Sequence, residues 1–373
     1  MPFEPFALEQ FQSQWERTVD LNLADSSVKC LQTREWLTPD DEAALLDTGL
    51  FYPEVNGTTE LRDRIAALYP GATRANVLVT VGAAQANSLV CQALLEPGDE
   101  VVVISPGYRQ VWGLARSAGC LVREVALDPS RAWRLDLDAL DAAVTPRTKL
   151  VAVVNPNNPT GTILAEAEAA RIVAACARVG AWLHADEVYA GTERGGAPET
   201  ATFWGRYDRL VCTNSLSKAY GLAGLRIGWA VAGPDVVEAL WRRHEYLVIA
   251  AAAPSMTLAA IALRPERRAA LLARQRALTE AGWRVMDAWI AGRNGRVTVT
   301  PAAATAIAFV RCHLPGGSVA LADRIRAEAS VLVAPGALLG AEDHLRITVG
   351  YEPDTVREAL DRITRVIEAG RCD

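Results

Sequence analysis

The chain has 373 residues, half of them hydrophobic and 22% charged, so it can bury a substantial core and is not a mainly disordered protein. That length exceeds one ordinary domain and suits a large α/β unit with a smaller partner. A net charge of -6, with no basic block, argues against a nucleic-acid surface.

Taken in order, Met1-Pro2-Phe3-Glu4 lacks a cationic stretch followed by an apolar run, so no secretory signal is expected. Residues 5–18 read as a short helix with Phe6, Phe11 and Trp15 at its apolar positions, and 21–30 as an irregular segment rich in small polar residues. A helix follows from Thr59 to Tyr69, with Thr58 or Thr59 as its N-cap. Strands and helices then alternate. Strands are expected at 77–80, 100–104, 121–124, 149–154, 182–185, 210–213 and 227–231, with helices at 83–95, 109–117 and 165–179. Apolar strands alternating with helices indicate a mainly parallel sheet covered on both faces, with ligand residues in the loops at the strand carboxyl ends.

The longest mostly apolar run, 247–263, is broken by Pro254, Ser255 and Thr257, and reads as core or subunit interface instead of a membrane span. From Arg264 the pattern changes to a long charged helix, 265–289. A compact α+β arrangement follows, with strands near Val297 and at 306–310, 331–334 and 345–349, and helices at 318–329 and 353–369. The seven cysteines (Cys30, Cys91, Cys120, Cys176, Cys212, Cys312 and Cys372) are scattered without a Cys-x-x-Cys pair, as expected for reduced thiols in a cytoplasmic protein. Four histidines without ligand spacing give no reason to expect a metal.

Three stretches carry chemistry. The first is Ser215-Leu216-Ser217-Lys218, with Arg226 eight residues beyond the lysine and apolar runs on either side. A lysine just past a buried strand is poorly solvated, which favours the neutral, nucleophilic amine that forms a Schiff base with an aldehyde. Two hydroxyls and a planar guanidinium suit a phosphate. The second is Asn155-Pro156-Asn157-Asn158-Pro159-Thr160-Gly161, whose prolines and glycine can hold an asparagine amide rigidly. The third is His184-Ala185-Asp186-Glu187-Val188-Tyr189, where Asp186 ends a short apolar strand and needs a cationic partner to stay ionised. Taken singly, each has an ordinary alternative: a surface loop, a turn, a structural ion pair.

In this order and spacing the three stretches resemble the class I/II aminotransferases of fold type I, which use pyridoxal 5′-phosphate, over nearly the whole chain. The resemblance implies a large cofactor-binding domain over 49–263 and a small domain over 264–373, with 1–48 contributing to the small domain and the active-site mouth. It implies that Lys218 bonds to the cofactor aldehyde and later moves the proton at Cα. Asp186 would pair with the pyridine nitrogen, and Asn158 and Tyr189 would bind the phenolic oxygen. Tyr108 would stack on the ring, and Gly82, Ala83, Ala84, Ser215, Ser217 and Arg226 would hold the phosphate. Tyr52 matches a tyrosine that reaches a neighbouring subunit's phosphate, which implies a homodimer with shared active sites. Arg346 would clamp the α-carboxylate of a small amino acid substrate.

The substrate pocket departs from the family pattern. The glycine-bearing segment found in many members is replaced by Leu23-Ala24-Asp25-Ser26-Ser27-Val28, and Leu338-Leu339 follows Pro335-Gly336 where an aromatic often stands. Two reactions are therefore expected as alternatives. One is transamination with a 2-oxo acid. The other is the dehydration and ring closure of a hydroxylated arginine carried out by the capreomycidine- and enduracididine-forming branch, in which Glu9 and Asp25 would face inward and receive a guanidinium. A cofactor-binding regulator is a third class, for which the chain has no room before residue 50 for the usual DNA-binding domain.

Overall fold

The computed structural model describes residues 3–313 and 316–369; Met1, Pro2 and Cys372 of the sequence reading lie outside them. Its centre is an eight-stranded sheet in the order Val77–Val81, Ile227–Ala232, Leu210–Ser215, Trp182–Asp186, Thr148–Val154, Glu100–Ser105, Leu121–Asp128 and Arg134–Leu135. The five strands from Leu210–Ser215 to Leu121–Asp128 pair in parallel. Ile227–Ala232 runs antiparallel to both of its neighbours, and Arg134–Leu135 is an antiparallel edge. The central strands are valine- and leucine-rich and buried on both faces, as a parallel sheet between helices requires.

The expected strands all form, most of them longer than their apolar runs. The strand expected at 210–213 continues to Ser215 because its pairing with Ile227–Ala232 runs on through Ser215 opposite Gly228. The helix expected at 59–69 stops at Ala66, and the one expected at 5–18 is confined to Ala7–Trp15. The 331–334 run splits into the short strands Val331–Leu332 and Ala334–Pro335. Helices Pro39–Leu46, Leu137–Ala143 and Pro234–Leu247 were not expected; the first two are marked by the capping side chains of Thr38 and Asp136, and the third by Pro234 in its first turn and by Val237, Leu240 and His244 on one buried face.

A second core forms around an antiparallel sheet ordered Val297–Val299, Ile307–Cys312, His344–Thr348 and Ala334–Pro335. Helix Pro265–Ala291 joins the two cores: Leu271 and Leu272 pack on the large one, while Trp283, Met286 and Trp289 pack on the small one. The amino-terminal segment is likewise divided. Leu8 lies in the large core, whereas Leu23 lies in the small one, where Leu21–Asn22 pairs with Val331–Leu332.

The 247–263 run forms a bend followed by helix Ala253–Ala262, in which Met256, Ala259 and Ile261 are buried. Its start stays exposed: Leu247, Val248 and Ile249 stand beside Tyr246 on the surface. Leu46, Leu50, Phe51 and Tyr52 are also exposed, and Thr48 ties that stretch to helix Ala253–Ala262 through a 2.9 Å bond to Thr257. No helix among the described residues is long and apolar enough to cross a membrane.

Candidate active site

The carboxyl ends of the parallel strands and the amino-terminal segment enclose a cleft of about 240 Å³. Glu9, Asp25, Ala83, Ala84, Tyr108, Asn158, Asp186, Tyr189, Ser215, Ser217, Lys218 and Arg226 all line it. Most of the residues chosen from the sequence are therefore brought together. Gly82 stands one residue behind the lining, and Arg346 is reached through Asn158. Tyr52 is not in this cleft; it is 81% exposed on the outer surface.

Asp186 ends strand Trp182–Asp186 and is buried. Its Oδ2 accepts from Asn87 Nδ2 at 2.9 Å and its Oδ1 from the Val188 amide at 3.2 Å. Burial pushes this carboxyl above its ordinary pKa, against the opposing effect of those two bonds and the Lys218 charge. Among the described residues it has no cation within ion-pair distance, so the site lacks the positive partner that a buried carboxylate requires.

Asn87 was missed by sequence reasoning. Its Oδ1 accepts from Thr213 Oγ1 at 2.8 Å, and Thr213 Oγ1 lies 3.0 Å from His184 Nε2. Since the threonine proton goes to Asn87, the histidine must donate from Nε2, which leaves its Nδ1 bare. Burial lowers the pKa of His184 to about 4, in keeping with a neutral ring. This chain of three side chains holds the Asn87 amide with its NH₂ toward Asp186. No motif marks Asn87; its only signal is its place on the first turns of the helix that opens at Gly82.

The opposite end of the cleft is built on backbone. Gly82, at φ +73°, begins helix Gly82–Leu94, and a Cβ there would lie 2.3 Å from Arg226 Nη2. Gly228 allows the neighbouring strand to approach just as closely; a Cβ would come within 2.3 Å of the Ala83 nitrogen. Free helix-start amides, two serine hydroxyls and a guanidinium therefore converge where an anion is favoured.

Between the two ends, the buried Tyr189 hydroxyl has no partner among the described residues. Tyr108 donates its hydroxyl to Glu9 Oε1 at 2.9 Å, and Phe6 packs on its ring at 5.0 Å. Asn158 Oδ1 accepts from Arg346 Nη1 at 3.2 Å. Arg346, 1% exposed, also gives Nη2 to the Ala24 carbonyl at 2.6 Å and to Gln12 Oε1 at 3.3 Å, while its Nε has no partner among the described residues. Asp25 accepts from the Ser26 and Ser27 amides and the Ser27 hydroxyl. Burial alone would raise its pKa; the Lys218 charge, those hydrogen bonds and the Arg346 charge outweigh burial and hold it below its usual value.

The profile of the aminotransferase class I and II family matches residues 19–363. This chain belongs to that family. Among curated proteins, it is 35% identical over 295 residues to a capreomycidine synthase of Streptomyces vinaceus, covering 78% of this chain and 74% of that protein. It is 35% identical over 301 residues to an aromatic amino acid aminotransferase of Rhodococcus jostii, covering 80% and 78%. Among solved structures, a PLP-dependent aminotransferase from Streptococcus suis superposes with a TM-score of 0.92 at 27% identity, over all of both chains. The fold is that of the fold-type I enzymes, and the family's cofactor is pyridoxal 5′-phosphate.

The site fits that cofactor on its own features. Among the described residues it has a buried acid without a cation in ion-pair reach, a buried phenol without a partner, and at the far end a glycine cradle closed by a guanidinium. These correspond to a pyridinium, a phenolate oxygen and a phosphate.

Proposed function

We propose that this class I/II aminotransferase acts at Cα of an amino acid and passes its amino group to a 2-oxo acid. The observation that carries this reading is the placement of Lys218, Asp186 and the Arg346–Asn158 pair around one cleft. Pyridoxal 5′-phosphate, when bound, supplies an electron sink that acidifies the substrate Cα–H.

The protein's part is binding and proton transfer. Asp186 would keep the pyridine nitrogen protonated, and Asn158 and Tyr189 would hydrogen-bond the phenolic oxygen. Tyr108 would cover the ring face. The Ala83 and Ala84 amides, Ser215, Ser217 and Arg226 would hold the phosphate, with Gly82 leaving room for the guanidinium. Arg346 would take the substrate carboxylate in a planar two-point contact, exchanging its bond to Gln12 for the substrate and so orienting the Cα–H toward Lys218. We assign the cofactor work to the unit 49–263, carboxylate capture to 264–373, and the mouth to 1–48.

A second reading has its own support. Glu9 and Asp25 both line the cleft, and each retains a carboxylate oxygen with spare acceptor capacity. Together they would receive a guanidinium at the end of a substrate whose carboxylate lies on Arg346, as the likeness to a capreomycidine synthase suggests. One experiment separates the two: purified protein is incubated with a panel of amino acids and no 2-oxo acid. Stoichiometric conversion of the bound cofactor to pyridoxamine phosphate supports transamination. Sustained turnover of a hydroxylated arginine to a dehydrated or cyclised product supports the second reading.

The protein is further proposed to be a cytoplasmic homodimer. Tyr52, Phe51, Leu50 and the 246–249 bend offer an exposed apolar surface beside helix Ala253–Ala262, and Tyr52 would complete a neighbour's phosphate site. Sedimentation at sub-micromolar concentration, with activity assayed on the same samples, is expected to show a dimer. A fully active monomer excludes shared sites.

A further inference from the structure

Lys218 Nζ donates a 2.9 Å hydrogen bond to Ser26 Oγ. Among the described residues this is the amine's only hydrogen-bond partner and the hydroxyl's only bond, although Ser26 is itself buried. The two groups come from opposite sides of the cleft. Lys218 follows strand Leu210–Ser215 of the large sheet. Ser26 lies on a loop carried by the small domain, since the Leu23 carbonyl accepts from the Thr348 amide, the Ser27 carbonyl from Thr348 Oγ1, and Lys29 donates to Gly350. The same loop presents the Ala24 carbonyl to Arg346 and holds its own shape through Asp25, which binds the Ser26 and Ser27 amides.

We propose that Ser26 is a positioning residue for the proton transfer made by Lys218, and that the 24–27 loop couples it to the carboxylate-binding arginine. This deepens the functional reading above and rests on it. Lys218 acts in this transfer through its free Nζ, the atom that Ser26 Oγ meets at 2.9 Å. In the transfer, the Cα–H bond breaks, an N–H bond forms at Nζ, and the electron pair stays on the substrate side. The new ammonium then needs an acceptor that is not the substrate itself. Ser26 Oγ supplies it, and a hydrogen bond to a charged group is worth more than one to a neutral group. It also selects one rotamer of a long flexible side chain, so the amine stays over the reacting carbon. Because Ala24 touches Arg346 two residues earlier, carboxylate binding and lysine placement share one rigid segment.

The test uses Ser26→Ala and Ser26→Thr in the full holoenzyme, following exchange of the substrate Cα proton in D₂O without a 2-oxo acid. Both reactions under consideration begin with this exchange, so the choice between them does not enter. Ser26→Ala is expected to slow exchange at saturating amino acid about tenfold, equivalent to about 1.4 kcal/mol, with the amino acid KM within about twofold of wild type. Ser26→Thr, which keeps the hydroxyl, is expected to restore most of the rate. A second readout is independent of activity. The chain has only three lysines, Lys29, Lys149 and Lys218, so ¹⁵N-lysine labelling of cofactor-stripped protein gives three side-chain signals. Ser26→Ala should move the Lys218 signal and leave the other two in place.

An unmoved Lys218 signal, an unchanged exchange rate, a loss carried wholly by KM, or a threonine variant as slow as alanine overturns the proposal. If wild type exchanges no Cα proton with any amino acid of the panel, it is the functional reading that fails, and the lysine signal still decides the contact.

Discussion

Lys218→Ala is expected to purify without the near-visible absorption of lysine-linked pyridoxal phosphate, and to lose Cα-proton exchange by about a thousandfold or more. The magnitude follows from the two roles proposed for Lys218, which the substitution removes together: covalent attachment and proton transfer at Cα. General acid–base help alone is worth about 10²–10⁴-fold. No neighbour can substitute. Ser26, the hydrogen-bond partner of the Lys218 amine, is a hydroxyl, and Asp25 is held as an acceptor by three hydrogen bonds. Because the cleft is open beside the lysine, a small primary amine added to the alanine variant is expected to recover part of the exchange. Normal turnover by Lys218→Ala would remove the central assignment.

Asp186→Asn is the second large effect expected. The substitution keeps shape and removes the charge that a protonated pyridine nitrogen needs. Breaking a buried ion pair typically costs about 3–5 kcal/mol, so exchange should fall by roughly a hundred- to several-thousandfold. The phosphate end is untouched by the change, and the variant is expected to retain cofactor by absorbance and mass. This separates loss of chemistry from loss of binding. Asn87 supports the charge from behind through its bond to Asp186. A variant that binds cofactor and exchanges at the wild-type rate would mean that the ring nitrogen does not rely on Asp186.

The cofactor half of the site was legible because its residues are local in sequence. Asn158, Asp186 and Tyr189, and Ser215 to Arg226, sit in short runs at the ends of strands whose apolar composition is itself visible. Tyr52, singled out by pattern alone, stands exposed outside the cleft.

By itself, the amino-acid sequence determined the alternation of strands and helices, the carboxyl-end loops as the place of chemistry, and a lysine, an acid and an anion cradle within them. Those features depend on hydrophobic period and on motifs a few residues long. Only the tertiary structure decided what faces these groups. The Ser26–Lys218 contact spans 192 positions, Arg346–Asn158 spans 188, and the Asn87–Asp186 bond spans 99. None of Ser26, Asn87 or Gln12 has a local signal, because a serine or amide in a loop or helix reads the same whether it meets solvent or a catalytic amine. Asn87 meets its partners where helix Gly82–Leu94 packs on the large sheet. Those of Ser26 and Gln12 are set by how the amino-terminal segment and the second core come together at the carboxyl ends of the strands. Such packing is a property of elements in contact, not of any one segment.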